Sequence, residues 1–423
     1  MEIIVVFSII GLILAIGFIC EQLFRKTGIP DVLLLIGVGL AMRYGFNIVE
    51  PADLASSAPL FTTFALLFVL FQGSLSIELR TLLSSARSAL QLTLGSFFAT
   101  ALVTAGICYV FGFGLMPSLM IGSILGGTSS IVVVPLLQNL GMGGRTKPIL
   151  VLESAISDVL CILFTVTLVE AMVSGSVVAS ELTRSLLSSF GLSIFVGVIV
   201  GIFWVYLVER FLSLSRAYVV NIGLVLLLYS FVESPFVMAS GPIACLTFGL
   251  VLRNAKPILS YSFKPSEIKP ILTTEAKNFY TEISFFLKAM FFVYLGILLD
   301  FTDIASILLA AVIVIIVFFI RPWIVSFFVR DTTIEEKERT FLEILVPKGF
   351  AATVLAQYAA ARLVEFPQYA GVASKLLNLS LSVVFFSIVL TSLLVFVTER
   401  GWFYGFYKRK SSVDAAGELP KKK

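Results

Sequence analysis

Apolar runs long enough to cross a bilayer recur from the first residues of this chain almost to its last. A helix needs roughly 20 apolar residues to span the hydrocarbon core of a membrane. The pattern predicts thirteen such helices, over residues 2–23, 31–43 (extending toward 49), 58–77, 88–110, 116–139, 147–173, 188–211, 218–234, 238–253, 278–299, 303–328, 340–362 and 378–398. The region 218–253 reads either as two short helices split near Glu233, Ser234 and Pro235 or as one interrupted element. Hydrophobic residues make up 58% and charged residues 13% of the 423 positions; soluble domains carry about 25% charged residues, so lipid is the solvent this composition suits. Polar stretches are too short for a separate soluble domain, and residues 1–407 are expected to form one membrane domain. The apolar stretch from Met1 to Cys20 follows an acidic Glu2 with no basic flank, and reads as a retained first helix rather than a cleaved signal.

Lysine and arginine test the span count. With the N-terminus outside, the cytoplasmic segments hold 23 of the 30 basic residues, the outer segments hold 4 (Arg43, Arg184, Arg362, Lys375), and Lys288, Arg321 and Lys348 lie within spans. A missed span would invert every later segment, so this asymmetry favours thirteen spans with the C-terminus cytoplasmic, in the cell membrane. The basic excess thereby sets topology and does not imply nucleic acid. The tail 408–423 is polar and lysine-rich, and reads as a disordered, solvated cytoplasmic terminus.

Histidine is absent, which excludes histidine proton relays, metal sites and pH sensors. Cys20, Cys108, Cys161 and Cys245 all fall inside apolar spans without paired spacing, so neither a disulfide framework nor a metal cluster is expected, and no cofactor is implied.

Two spans carry helix-weakening residues at mid-depth. Residues 116–139 contain Gly126, Gly127, Thr128, Ser129 and Ser130 with Pro135 beyond; residues 340–362 contain Pro347, Lys348 and Gly349. Irregular backbone at that depth persists only where protein or a water-filled cavity satisfies it. Each break is flanked by a full span on either side, and the two triplets (88–173 and 303–398) run in opposite directions. Paired breaks in inverted repeats point to the binding site of a secondary transporter.

The span after the first break reads Glu153-Ser154-Ala155-Ile156-Ser157-Asp158. A carboxylate at mid-span costs about 2.5–3.5 kcal/mol on insertion scales, and such groups are functional by default. Ser154 and Asp158 are four apart and share a face, with Ser157 beside it. Glu153 is turned roughly 140° from Asp158 at 3.6 residues per turn, so the two acids serve different purposes. A buried carboxylate among hydroxyls and free carbonyls is hard-oxygen chemistry, able to hold a proton or a monovalent cation but not both. That competition is the minimal mechanism of an exchanger. Lys348 is the natural partner of Glu153 on this reading, Arg321 before Pro322 faces the crossing of the breaks, and Lys288 has no carboxylate near it in sequence.

These residues resemble the monovalent cation/proton antiporter superfamily, especially its Na+/H+ exchanger-like branch, over nearly the whole chain. Gly127-Thr128-Ser129-Ser130-Ile131-Val132-Val133-Val134-Pro135 is similar to that family's first break, and Glu153 to Asp158 to its Glu-Ser-x-x-Asn-Asp motif. Arg321-Pro322, Pro347-Lys348-Gly349 and Phe71-Gln72-Gly73-Ser74-Leu75 match three further motifs in the expected order. The resemblance implies an all-α sodium/proton antiporter-like fold, with inverted repeats and two crossed, interrupted helices. It implies Asp158 as carrier, the Thr128 backbone and Ser154 as cation ligands with Ser157 and Ser129 beside them, Glu153 with Lys348 as a stabilising pair, and Arg321 as a family-type cation. It further implies a homodimer in which a core domain (about 88–173 and 303–398) moves elevator-like against a dimerisation scaffold (about 1–77 and 188–299), serving pH homeostasis. Ser157 stands where the family has a carboxamide or a second carboxylate, which favours electroneutral one-for-one exchange. Gln72 replaces a glutamate. Ser129-Ser130 is similar to the potassium-efflux branch, which makes K+/H+ exchange the alternative to Na+, with Li+ also admitted. A passive channel, an intramembrane enzyme and a non-transporting sensor on the same scaffold are competing readings. The enzyme fails on inventory, since no histidine base and no second deep aspartate accompany Asp158.

Overall fold

The computed structural model describes residues 3–27, 31–54, 58–75, 79–129, 132–133, 146–174, 179–211, 217–237, 239–256, 273–329, 334 and 336–399. The described residues form helices and turns without a strand. In order they are α1 (Ile3–Thr27), α2 (Asp31–Leu40, continued by a π turn Ala41–Gly45), α3 (Pro51–Leu54), α4 (Ala58–Ser74), α5 (Leu79–Val110), α6 (Leu115–Leu125), α7 (Thr146–Ser174), α8 (Ala179–Phe211), α9 (Ala217–Val232), α10 (Gly241–Arg253), α11 (Thr274–Leu298), α12 (Ile304–Phe328), α13 (Glu336–Ile344), α14 (Phe350–Val364) and α15 (Ala370–Glu399). Every apolar run read from the sequence carries helix. Ser130, Pro135 and the tail 408–423 lie outside the described residues.

Six stretches are long and apolar enough to cross a membrane by themselves: Ala89–Val110, Leu152–Val169, Gly191–Val208, Thr274–Leu298, Ile304–Phe328 and Pro367–Glu399. The chain is thus a multi-pass membrane protein. Six is fewer than the thirteen spans expected, and the difference lies in shorter apolar helices such as Leu115–Leu125 and Phe350–Val364. The former rises only about 16 Å at 1.5 Å per residue, less than one hydrocarbon thickness. Residues 218–253 resolve into two helices. A turn follows Val232, Glu233 Oε1 accepts the Gly241 N–H at 3.0 Å, and Pro242 occupies the first turn of α10. Both features stop a helix from running through.

Large apolar side chains lie on the outer surface as well as in the core. Phe319, Trp323 and Phe327 form an exposed aromatic stripe at helical spacing on α12, while Ser, Thr, Glu, Asp, Lys and Arg side chains are buried between helices. In water such a surface would be an aggregation hazard; against acyl chains it is the stable arrangement.

The helices pack in two groups. In one, α2 lies along α11, α10 packs on α4, α8 and α9, and α1 covers α2 and α11. In the other, α5, α6 and α7 pack mutually, α12 and α14 pack on α15, and α5–α12 and α7–α14 contacts join the triplets. The turn from α5 into α6 uses Gly112 and Gly114 at φ +87° and +81°, a region costly for any residue with a Cβ. Asp303 caps α12, accepting the Ser306 N–H at 3.1 Å and its hydroxyl at 2.6 Å. Asp300 accepts the Thr302 N–H and hydroxyl at 2.9 and 2.7 Å, and these bonds hold its carboxyl below the ordinary aspartate value. The two acids are engaged in local bonds at a helix end.

Candidate ion-binding site

Regular helix stops at Leu125 and again at Ile344, and Gly126–Ser129 and Leu345–Gly349 run as irregular backbone, with local bonds at their edges such as the Leu345 N–H to the Phe341 carbonyl. Backbone groups buried this deep must be paired elsewhere. The two breaks pair with each other. The Ser129 N–H donates to the Pro347 carbonyl at 2.7 Å, and the Lys348 ammonium donates to the Gly127 carbonyl at 2.8 Å. The Lys348 N–H in turn donates to Ser387 Oγ on α15 at 2.9 Å. A Cβ on Gly349 would run into the Ser129 side chain, so glycine is what lets the breaks touch.

Helix α7 lies flush against the first break. A Cβ on Gly127 would meet Cys161 Sγ and Ser157 Oγ. Ser157 Oγ accepts the Thr128 N–H at 3.1 Å, donates to the Ser154 carbonyl at 3.1 Å, and stands 3.4 Å from Thr128 Oγ1. One hydroxyl thus fixes Thr128 to the helix that carries Asp158. Asp158, Ser154, Ser157, Thr128 and Ser129 are all buried. Ser129 Oγ has no hydrogen-bond partner among the described residues. The structure therefore joins Thr128 to Ser157 on the helix that also carries Ser154 and Asp158, with Ser129 next to Thr128 in the break. Among the described residues no three His, Cys, Asp or Glu side chains cluster. A cation here would be held by one carboxylate together with hydroxyl and carbonyl oxygens, a donor set suited to hard alkali ions.

The expected pairing of Glu153 with Lys348 is corrected. Arg321 takes Glu153 instead, Nη1 to Oε1 at 2.5 Å and Nη2 to Oε2 at 2.7 Å, with both side chains 1% exposed. Glu153 lies on the side of α7 turned away from Asp158, where α5 and α12 pack, and the planar guanidinium matches both carboxylate oxygens as one lysine nitrogen cannot. Arg321 also donates Nε to the Leu342 carbonyl at 3.0 Å and Nη1 to Ser96 Oγ. Lys348 goes to the break backbone. Lys288, for which the sequence offered no carboxylate, pairs with Asp31 at 2.5 Å.

Sequence reading missed Asp31, Ser96 and Ser387. The signal for Asp31 was an acid opening an apolar run in a chain with one unassigned intramembrane lysine. No comparable pattern marked the two serines. Gln72, which stands in for a family glutamate, accepts a hydrogen bond from Ser284 Oγ.

Residues 10–399 match the family model described as sodium/hydrogen exchanger, transmembrane. The K(+)/H(+) antiporter NhaP2 of Shewanella sp. (strain MR-4) is 26% identical over 402 residues, 92% of this chain, which spans 65% of that relative's length. Among solved structures, the sodium proton antiporter MjNhaP1 from Methanocaldococcus jannaschii superposes with a TM-score of 0.77 at 18% identity, over 94% of this chain and 98% of that one. At that identity the likeness is one of fold.

Proposed function

The chain belongs to the sodium/hydrogen exchanger family, and from that premise we propose that it is a monovalent cation/proton antiporter whose carrier is Asp158. The observation that carries the reading is the joint formed by Ser157. It ties the backbone break at Thr128 to α7 one residue from Asp158, while Arg321 answers the charge of Glu153 on the other face. Asp158 then holds either a proton or a cation, the latter with oxygen donors from Ser154 and the Thr128 backbone and with Ser129 and Ser157 at hand. Ser129 brings a buried hydroxyl whose lone pairs suit a hard cation. With one carboxylate at the crossing, exchange is one cation for one proton and electroneutral.

Na+ is the leading cation. K+ is the second reading, supported by the name of the Shewanella relative and by the paired serines Ser129 and Ser130. We further propose thirteen spans with the C-terminus cytoplasmic in the cell membrane. A homodimer forms through the group of α1, α2, α4 and α8–α11, against which the group of α5–α7 and α12–α15 moves.

Reconstituted vesicles loaded with a proton-sensitive dye test this. Wild-type protein collapses a proton gradient on addition of Na+, K+ or Li+, and the ranking of the three identifies the substrate. Asp158→Asn folds and elutes as wild type but moves no protons in response to any of them. Exchange retained in that variant rules out the mechanism. Shunting the voltage with valinomycin at equal K+ on both sides leaves the Na+-driven rate unchanged if exchange is electroneutral; a rate that changes when the voltage is shunted means that a second charge moves.

A further inference from the structure

A small cavity lies between α5, α6, α12, α15 and the second break, lined by Thr104, Leu125, Lys348, Ser387 and apolar side chains of α12, α15 and the second break. Most of this wall is aliphatic, and three polar groups interrupt it. Thr104 Oγ1 is fully buried and has no hydrogen-bond partner among the described residues. The Lys348 ammonium carries three donors and makes one hydrogen bond among the described residues, to the Gly127 carbonyl. Ser387 Oγ donates to the Val384 carbonyl at 2.8 Å and accepts the Lys348 N–H, with acceptor capacity along its remaining surface.

We propose that this cavity is a water site, and that Thr104, acting through the bound water, positions the Lys348 ammonium against the first break. Burying a hydroxyl without a partner is costly, and an under-bonded ammonium costs more. One water relieves both deficits: its oxygen accepts from Lys348 and its hydrogens go to Thr104 and Ser387. Two to four polar partners are what a buried water needs. The bridge runs from α5 through the second break to the Gly127 carbonyl, next to Thr128. Thr104 therefore sets the placement of the ion-site backbone without touching the ion.

Two measurements test the two halves of this proposal on full-length protein. The first is X-ray radiolytic footprinting in detergent, in which radicals born from bound water oxidise adjacent side chains. Leu125 lines the cavity and Leu342 does not, and both are fully buried. Leu125 is expected to oxidise faster than Leu342 in wild type and Thr104→Ser, and to fall to the Leu342 level in Thr104→Val, which keeps the shape and removes the hydroxyl. Equal oxidation of the two leucines in wild type, or an unchanged Leu125 signal in Thr104→Val, overturns the water site. The second measurement rests on the antiport reading. Thr104→Val is expected to raise the half-saturating cation concentration about fivefold, the equivalent of one net hydrogen bond, with the maximal rate unchanged, and Thr104→Ser to restore it. Wild-type half-saturation in Thr104→Val overturns the positioning role. If the wild-type protein exchanges no cation, the antiport reading fails while the footprint still decides the water site.

Discussion

Arg321 offers five donors in a rigid fork, and the structure uses that fork on Glu153, Ser96 and the Leu342 carbonyl in a pocket closed to solvent. Removing one member of such a pair leaves the other charged and unanswered, which costs about 3–5 kcal/mol, while replacing both by apolar groups is close to neutral. Glu153→Gln and Arg321→Met are each expected to lower thermal stability in detergent by an amount of that order, and Glu153→Met with Arg321→Met to recover most of it. Single variants that melt with wild type would show the pair to be energetically idle. Ser157 supports a smaller prediction. Ser157→Ala leaves the Thr128 N–H buried without its acceptor, worth about 1–3 kcal/mol, and is expected to weaken cation affinity in vesicle flux more than it lowers the melting point. The split between the two acids was legible in sequence, because the angle between positions 153 and 158 follows from helix geometry alone. The partner of Glu153 was not. Arg321 and Lys348 were both intramembrane cations on distant spans, and only the packing of α12 beside α7 and α5 decides between them. The same holds for Lys288 and Asp31, 257 positions apart.

At the scale of elements, α2 depends on α11. Ten residues rise about 15 Å, too short to be a stable free-standing helix. Three ties hold it in parallel register along α11. Asp31 meets Lys288, Gly39 packs on Gly296, and Arg43 donates to the Ile297 and Leu299 carbonyls at 2.9 and 2.7 Å, where the C-terminus of α11 leaves acceptors unpaired. A Cβ on Gly296 would collide with the Ile36 carbonyl, whereas one on Gly223 of α9 meets nothing within 4 Å. Gly296→Leu is expected to push the two helices apart and lower the melting point in detergent by several degrees, with Gly223→Leu near wild type as the control. Equal melting of the two variants would mean that the close approach carries no stability. Helix positions were largely legible here, since apolar run length and Gly or Pro at mid-span locate both spans and breaks. Helix ends were less so. Apolarity continues across a turn as readily as through a helix, so 218–253 stayed open until the Glu233 cap closed it, and the second interrupted span became α13 and α14 with five non-helical residues between.

Over the whole molecule, α1, α2, α4 and α8–α11 pack as one group and α5–α7 and α12–α15 as another, and the contacts between the groups were beyond sequence reach because they join residues far apart in the chain. Phe291 of α11 lies on Phe350 of α14 with ring centroids 4.2 Å apart, and the Tyr294 hydroxyl donates to Gln357 Oε1 at 3.3 Å. Such a surface suits sliding. Apolar contacts lose little on a small translation, whereas a ladder of ion pairs across the same surface would each cost several kcal/mol to part. If the α12–α15 group travels against α11 during each cycle, a tether between these two positions must stop it. Tyr294→Cys with Gln357→Cys, bridged by a short bifunctional thiol reagent with a cleavable disulfide spacer, is expected to abolish cation-driven proton flux, and reduction to restore it. The four native cysteines are buried, so the reagent's targets are the introduced pair. Each single cysteine treated with the same reagent controls for local blockage, and full flux through a cross-linked double variant would show that the two groups do not move past one another at this contact.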